Sequence, residues 1–143
     1  HLEGEAREAG KIFGAIAKEI QVSAHPMPRP ACLVWGGEPT VTIKGAGKGG
    51  RVQELVLAAA IQIAGLKNSY VAGLGTDGKD GLTEVAGAMV DGRTIKRAKK
   101  LHLDPQEILN KNDSYKFFKT VGGHIHTGAT GTNVSDVYIQ LAL

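Results

Sequence analysis

The sequence predicts an α/β fold, a layered α/β/α sandwich with a mixed sheet in a single Rossmann-like domain. Its 143 residues, 42% of them hydrophobic, suffice for one buried core. Segments with apolar residues at helical spacing are interspersed with short apolar or alternating runs typical of strands. Some strands are joined by short, hairpin-like connections, which indicate antiparallel pairs within the sheet. Residues 1–143 are therefore treated as one domain.

The first half of the chain predicts two helices that flank two strands. Residues 4–20 form the first helix, because Ile12, Ile16 and Ile20 recur on one helical face. Three prolines in residues 25–30 indicate an extended connector, since proline removes backbone donors. Strands are predicted at residues 31–35 and 40–44, and a glycine loop at residues 45–50 leads into a helix over residues 51–64.

The second half alternates between the two classes again. Strands are predicted at residues 70–74 and 86–90, followed by helices at residues 93–101, 105–110 and 115–120. Asp104 is expected to cap the middle helix, with Pro105 at its first position. Asp113 or Ser114 is expected to cap the last helix. Strands at residues 124–126 and 134–143 complete the predicted fold.

Charge and hydropathy exclude several classes of protein. The net charge is only +3, and aromatic residues make up 5% of the chain. Five basic residues cluster within residues 93–100. This basic cluster is expected to form a solvated helix surface, and no nucleic-acid partner is predicted. No long uncharged apolar run and no secretory leader pattern are present, so we expect no membrane partner and a cytoplasmic location. The cluster consists of Arg93, Lys96, Arg97, Lys99 and Lys100.

Two further features concern the chain as a whole. Cys32 is the only cysteine and lies in an apolar run, so we expect a small buried thiol without a disulfide. The sequence opens on His1 inside an apparent helical pattern, so we expect it to be a piece of a longer protein.

The glycine loop at residues 45–50 matches the G-x-G-x-x-G pattern of dinucleotide sites. The acidic residue expected about 20 positions later is missing from residues 68–70, which argues against that interpretation. A Walker A loop is excluded, since Arg51 and Val52 follow Gly50.

The same loop still suits an oxyanion or a phosphate. Backbone N–H groups along Gly47, Lys48, Gly49 and Gly50 precede a helix start, and Arg51 stands beside them.

Three other segments carry polar side chains that could bind a ligand. Asp77 and Asp80, in a loop that starts near Thr76, suit magnesium with phosphate oxygens, although a structural turn explains them as well. Residues 127–133 could donate hydrogen bonds to phosphate or sugar from Thr130, Gly131, Thr132 and Asn133, or form a ligand-free turn.

Glu38 follows a buried strand, where it is either a polar anchor or a solvent-facing turn residue. His124 and His126 have a spacing that zinc can use, but no third ligand is evident, and we expect an exposed or interdomain pair. Trp35, Phe117 and Phe118 are expected in the core.

Four motifs in order resemble the C-terminal MOFRL domain of the class II glycerate kinase family, some members of which carry the older label hydroxypyruvate reductase. They are GGEPTVTIKGAGKGGRVQELVLAAA at residues 36–60, GLGTDGKDGLTEVAGAMVDG at residues 73–92, NDSYKFF at residues 112–118 and TGATGTNVSDVYI at residues 127–139. With GEARE at residues 4–8, they span nearly the whole chain.

The resemblance implies an enzyme that transfers a phosphoryl group from ATP, with magnesium, to D-glycerate and releases 2-phosphoglycerate. It also implies a larger N-terminal α/β domain, with the active site in the cleft between the two domains, so that this chain supplies one wall and is inactive alone. Arg51 looks like the active-site arginine of the family. Asp77, Asp80 and residues 130–133 would line the same cleft.

One departure from the family pattern bears on activity, because Val52 stands where the family more often has Asn. An apolar side chain there would remove a hydrogen-bonding group from the cleft. Two alternative functions stay open: an NAD(P)H-dependent hydroxypyruvate reductase, and a non-catalytic domain that binds a nucleotide or metabolite. A homodimer is a further open alternative.

Overall fold

The computed structural model describes all residues 1–143, which form five helices and five strands. The helices are α1 (Ala6–Ser23), α2 (Arg51–Gln62), α3 (Thr94–Lys100), α4 (Pro105–Asn110) and α5 (Ser114–Val121). The strands are β1 (Ala31–Gly37), β2 (Ser69–Gly75), β3 (Gly87–Asp91), β4 (His124–Ile125) and β5 (Asp136–Ala142). Most predicted elements are confirmed to within a few residues.

The five strands form one sheet in the order β1-β5-β2-β3-β4, and every neighbouring pair is antiparallel. β1 and β2 run in the same direction and are joined through α2, as in a parallel crossover. The C-terminal strand β5 lies between them, where it pairs antiparallel with both. Parallel pairing is limited to two isolated bridges, Leu2 with Gly37 and Glu5 with Thr40.

The predicted α/β class is confirmed, but two details of the prediction are wrong. The sheet is antiparallel rather than mixed, because β5 separates the two strands that would have paired in parallel. The domain also has two layers instead of three. Residues on one sheet face, such as Val71, Tyr138 and Gln140, are buried under helices, whereas Val34 and Met89 on the other face are exposed.

The core lies between this buried sheet face and α2, whose residues from Val52 to Ala60 are almost fully enclosed. Small alanines on α2 allow the helix to approach both the sheet and α1 closely. Helix α1 buries Ala9, Phe13, Ala17 and Ile20. Of the predicted isoleucine face, Ile20 is buried and Ile16 is partly buried, whereas Ile12 is exposed and that part of the prediction is wrong. The apolar stripe also includes small residues, since they allow contact with α2.

Three local predictions are also corrected. Residues 41–44 form no strand, although Thr40 has a bridge to Glu5 and Val41 packs against the core. Cys32 is exposed on the open sheet face and is not buried. The aromatic prediction is confirmed for Phe117 and Phe118, which are fully buried, and Trp35 is partly buried with its ring 5.3 Å from that of Phe13.

The prediction for Asp104 is confirmed: its carboxylate accepts hydrogen bonds from the N–H groups of Gln106 and Glu107 at the start of α4. Asp113 precedes α5 but does not cap it, because its carboxylate instead accepts a hydrogen bond from the N–H of Lys48. As for membranes, none of the five helices has the length and apolar character that a bilayer crossing requires.

Candidate active site

A cleft of about 730 Å³ opens where β1 ends and α2 begins. Arg51, at the first position of α2, lies in its wall. The cleft brings together six of the residues predicted for the site, namely Glu38, Gly47, Lys48, Gly49, Gly50 and Arg51. Thr76, Asp77, Asp80 and residues 130–133 do not line it.

Arg51 is held by a buried carboxylate on β5. Its Nε donates to Asp136 Oδ2 at 2.7 Å, and its Nη2 donates to Oδ1 at 3.0 Å. The Asp136 side chain is only 1% exposed, whereas that of Arg51 is 35% exposed. Hydrogen bonding to Asp136 raises the pKa of Arg51 further above its ordinary value, so the guanidinium stays charged. This two-point contact fixes the plane of the guanidinium.

The buried Tyr138 contacts the Asp136 carboxylate from the core. Its hydroxyl donates to Asp136 Oδ2 at 3.1 Å from inside the core. Burial, followed by the charge of Asp136, raises the pKa of the Tyr138 phenol well above its ordinary value, so the phenol remains a donor. The resulting chain of contacts runs from the core through Asp136 to Arg51 at the cleft.

Glu38 contacts the same guanidinium at Nη2, the nitrogen that also donates to Asp136. Its Oε1 lies 3.1 Å from Arg51 Nη2, and its Oε2 accepts a hydrogen bond from the Ser135 hydroxyl at 3.3 Å. The Glu38 side chain is about half exposed. The remaining nitrogen of Arg51, Nη1, donates no hydrogen bond within the chain. Nη1 and the exposed Glu38 carboxylate are therefore available to a ligand.

Asp80 forms a buried cap on α2. Its Oδ1 accepts from the N–H of Val52 at 3.0 Å, and its Oδ2 accepts from the N–H and the side chain of Gln53, both at 2.9 Å. Burial raises the pKa of this carboxyl, and the three N–H donors oppose that shift. Because both oxygens are engaged and the residue is 2% exposed, Asp80 supports the start of the helix.

That contact changes the role expected for the helix N-terminus. The helix start after the glycine loop was predicted to suit a phosphate, but Asp80 already accepts from the N–H groups of Val52 and Gln53 in the first turn. A carboxylate of the protein itself thus occupies the anion position at the start of α2.

The glycine loop packs against the segment between α4 and α5. The N–H of Gly47 donates to Lys111 O, and that of Lys48 donates to Asp113 Oδ1, each at 3.0 Å. A Cβ on Gly49 would lie 2.2 Å from Ser114 Oγ, and one on Gly50 would lie 2.3 Å from Asp80 Oδ1. Close packing therefore explains these glycines. The N–H groups of Gly49 and Gly50 have no acceptor in the chain.

A second polar group lies beside this loop. Lys48 Nζ is 3.4 Å from Glu84 Oε2 and 4.3 Å from the centre of the Tyr115 ring. Tyr115 also donates a hydrogen bond to Glu84. That bond lowers the pKa of Glu84 to about 2. Lys48 is thus held near the cleft by an acidic partner.

The two remaining predicted loops lie next to Glu38 and Asp136 but outside the cleft. Thr76 uses its hydroxyl twice, donating to Ser135 O at 2.7 Å and accepting from Val134 N at 2.8 Å. Thr130 donates to the carbonyl of Thr76, and residues 131–133 are exposed. Asp77 Oδ1 accepts from Lys79 N at 3.0 Å, while its Oδ2 has no partner in the chain.

Val52 does not lie in the cleft. Its side chain is fully buried, and a Cβ built on Gly73 of β2 would meet Val52 Cγ1 at 2.9 Å. The concern that valine removes a hydrogen-bonding group from the cleft was wrong, because the second residue of α2 points toward the sheet. Val52 belongs to the core.

Sequence reasoning missed the groups that hold the site together. Asp136 and Tyr138 are spaced for one face of a strand, but only β5 pairing beside β2 places them under Arg51. Asn112 accepts from the N–H groups of Lys44 and Gly45 and donates to the buried Glu54 at 2.9 Å. These residues lie within the motifs at residues 112–118 and 127–139, but no local pattern indicates that they meet Arg51 or Glu54, which are distant in sequence.

The two histidines do not form a metal site with other residues, since the structure has no group of three or more His, Cys, Asp or Glu side chains suited to a metal. His124 Nε2 lies 3.2 Å from Gln53 Oε1, and its ring lies 4.8 Å from that of Tyr115. Burial, followed by the charge of His126, lowers the pKa of His124.

Fold and cleft define this chain as a two-layer α/β domain whose candidate site is built around an arginine held by a buried aspartate. The MOFRL family model matches residues 31–136. The chain therefore belongs to the MOFRL family.

Named relatives give this family a chemical context. The D-glycerate 2-kinase of Thermotoga maritima is 47% identical over 98% of this chain and 34% of that protein. A glycerate kinase crystal structure from the same organism superposes with a TM-score of 0.98 at 46% identity, over 99% of this chain and 34% of the other. Relatives from Agrobacterium vitis, 38% identical over 95% of this chain and 32% or 36% of their own, carry the provisional name hydroxypyruvate reductase. The chain spans about a third of the length of the relatives it matches.

Proposed function

We propose that this chain is the C-terminal domain of a glycerate 2-kinase that transfers a phosphoryl group from ATP to D-glycerate and gives 2-phosphoglycerate. The observation that supports this most strongly is the Arg51 guanidinium, fixed by Asp136 at the wall of the cleft with Nη1 donating no hydrogen bond within the chain. Phosphoryl transfer depends on positioning and charge neutralisation more than on covalent chemistry. A rigid arginine suits that requirement.

Arg51 and Glu38 have complementary parts in this proposal. Nη1 of Arg51 binds the glycerate carboxylate or an oxygen of the transferring phosphoryl group. Glu38 accepts a hydrogen bond from a glycerate hydroxyl, because its carboxylate is exposed beside the same guanidinium. The unpartnered N–H groups of Gly49 and Gly50 supply further donors to an anionic ligand.

The charge of the cleft argues for a second wall. Its charged lining residues are Glu38, Lys48, Arg51 and Glu54, so their formal charges cancel. Glycerate and ATP together bring several negative charges, and this chain does not neutralise them. We therefore propose that the larger N-terminal domain completes the site with basic groups, and that the chain alone is inactive.

Magnesium fits only part of what this chain offers. Mg²⁺ prefers one or two carboxylates together with phosphate oxygens and water. Of the two carboxylates predicted for it, Asp80 is fully engaged, while Asp77 retains an unpartnered oxygen. Asp77 is the residue of this chain that would contact the ion, which would neutralise phosphate charge when bound. Thr76 and residues 130–133 shape the loop beside it.

The reductase alternative is disfavoured by the glycine loop. Its N–H groups at Gly45, Gly47 and Lys48 are bonded to Asn112, Lys111 and Asp113, and its glycines are required for packing. Those groups do not form a free pyrophosphate cradle.

The test uses the longest reading frame that contains this chain, in parallel with the chain alone. The longer protein is expected to form 2-phosphoglycerate from D-glycerate and ATP, with the product identified by ³¹P NMR, and the chain alone is expected to form none. Arg51→Ala in the longer protein should lower turnover by about 100-fold or more, as loss of a charge-stabilising group does. Near-normal turnover would remove Arg51 from the mechanism. Oxidation of NADH or NADPH with hydroxypyruvate instead would establish the reductase.

A further inference from the structure

The open face of the sheet is apolar across four strands. One row of facing residues consists of Val34, Ile139, Ala72 and Met89. Three of these side chains are exposed, Val34 by 67%, Met89 by 54% and Ile139 by 37%. An antiparallel sheet with one solvated face normally carries polar residues on that face.

The neighbouring rows continue the same surface. On one side lie Gly36, Val137, Leu74 and Gly87, and on the other lie Cys32, Leu141, Tyr70 and Asp91. Asp91 is the only charged residue in the three rows. Contiguous apolar surface of this kind marks a contact with another part of a protein, because isolated domains seldom expose it.

We propose that this open face, defined by the three rows, is the docking surface for the larger N-terminal domain of the same polypeptide. The inference rests on the proposed two-domain enzyme. It identifies the surface by which this chain contacts the other domain. That surface is separate from the Arg51 cleft. The Arg51 cleft lies at the strand ends, whereas the open face lies along the strands on the side opposite α1 and α2.

Two observations select this occupant over a second copy of the chain. The glycerate kinase structure that superposes with a TM-score of 0.98 contains about twice as much further polypeptide as the part that superposes. The amino-terminal segment also reaches the sheet at its edge, where Leu2 bridges in parallel to Gly37 at the end of β1 and packs against the core on the helix side. A domain attached before this segment would join the sheet at the β1 edge, which borders the open face.

Cys32 provides a natural reporter, because it is the only cysteine of this chain and is exposed on this face. In the longer protein, iodoacetamide labelling of Cys32, read by peptide mass spectrometry, should be about tenfold or more slower than in the denatured protein. Val22→Cys is the matched control, because Val22 is 85% exposed on α1. Labelling of Cys32 as fast as that of the control would overturn the proposal.

A stability measurement gives an independent readout. Val34→Lys should lower the Tm of the longer protein by several degrees and leave that of the 143-residue chain unchanged, since Val34 is exposed there. Val22→Lys should change neither Tm. If the longer protein has the same Tm with Val34→Lys as with Val22→Lys, docking at this face is contradicted. If Val34→Lys prevents folding of the longer protein, the rate of Cys32 labelling in the unsubstituted protein still tests docking at this face.

Two further results separate this proposal from its alternatives. Light scattering that shows a dimer of the 143-residue chain, reduced to a monomer by Val34→Lys, would assign the face to a second copy. Cys32 protected in a longer protein that lacks glycerate kinase activity would support docking and refute the proposed function. Glycerate kinase activity in a longer protein whose Cys32 is labelled freely would support the proposed function and refute docking at this face.

Discussion

Arg51 and Asp136 meet through two hydrogen bonds across 85 residues of sequence. The aspartate is buried on β5 and the arginine opens α2, so the contact ties the sheet to the first turn of the helix at the cleft. Tyr138 donates to the same carboxylate from the core. The guanidinium is therefore positioned before any ligand binds, which reduces the entropy lost on binding.

Asp136→Asn should lower turnover of the longer protein because an amide can accept only one of the two hydrogen bonds from Arg51. Loss of one charge-assisted bond, about 1.5–3 kcal/mol, corresponds to roughly a 10- to 150-fold decrease in kcat/KM. Steady-state kinetics with glycerate and ATP would measure it. Tyr138→Phe, which removes only the supporting hydroxyl, should have a smaller effect in the same direction. Unchanged kinetics for Asp136→Asn would show that Arg51 needs no positioning.

Glu38→Gln should raise the KM for glycerate with little change in kcat. The substitution keeps the shape of the side chain but replaces a charged acceptor with a neutral one, which binds a substrate hydroxyl less strongly. Titration of glycerate at saturating ATP would separate KM from kcat. A lower KM would instead show that Glu38 competes with the anionic substrate for Arg51.

Gly50→Ala should destabilise the domain by about 1–3 kcal/mol, as overpacking of an enclosed site does. The added Cβ would lie 2.3 Å from Asp80 Oδ1, whose carboxylate caps α2. Gly36→Ala is the matched control, because no heavy atom lies within 4 Å of its added Cβ. Urea unfolding of both variants would test the difference. Equal stabilities would show that the loop shifts at no cost.

Stability should fall as the pH is lowered past the ordinary histidine range, and His124 should contribute to that fall. Its pKa is lowered in the folded protein, mainly by burial, so the unfolded chain takes up a proton at a higher pH than the folded one. The contribution is fully present above about pH 6.5, the unfolded value, and is lost as the pH falls through the folded pKa.

His124→Gln should therefore flatten the dependence of Tm on pH between pH 7.5 and 5, an interval chosen around the ordinary histidine value of about 6.5. His102→Gln provides a comparison at an exposed histidine. Differential scanning calorimetry across this range would measure both variants. A curve for His124→Gln that parallels that of the unsubstituted chain would contradict the assignment.

Local sequence patterns account for the elements and their order, because capping residues, proline and apolar spacing act over a few residues. Asp104 and Pro105 set the start of α4, and the alanine-rich run after Arg51 set α2. The four motifs also determined the MOFRL family, which the family model matches over residues 31–136. Arg51 was singled out from its motif, and the structure places it in the cleft wall.

The strand order of the sheet and the partners of the site residues depend on how the whole chain packs. The insertion of β5 between β1 and β2 made every pair antiparallel, and no local pattern specifies which strands become neighbours. That insertion placed Asp136 beneath Arg51, and packing of residue 80 against α2 made Asp80 a cap. The same packing left Cys32 and Val34 exposed. An apolar strand sequence does not show whether one face or both faces of the sheet are covered. Contacts across many residues depend on packing of the whole chain, which local spacing does not encode.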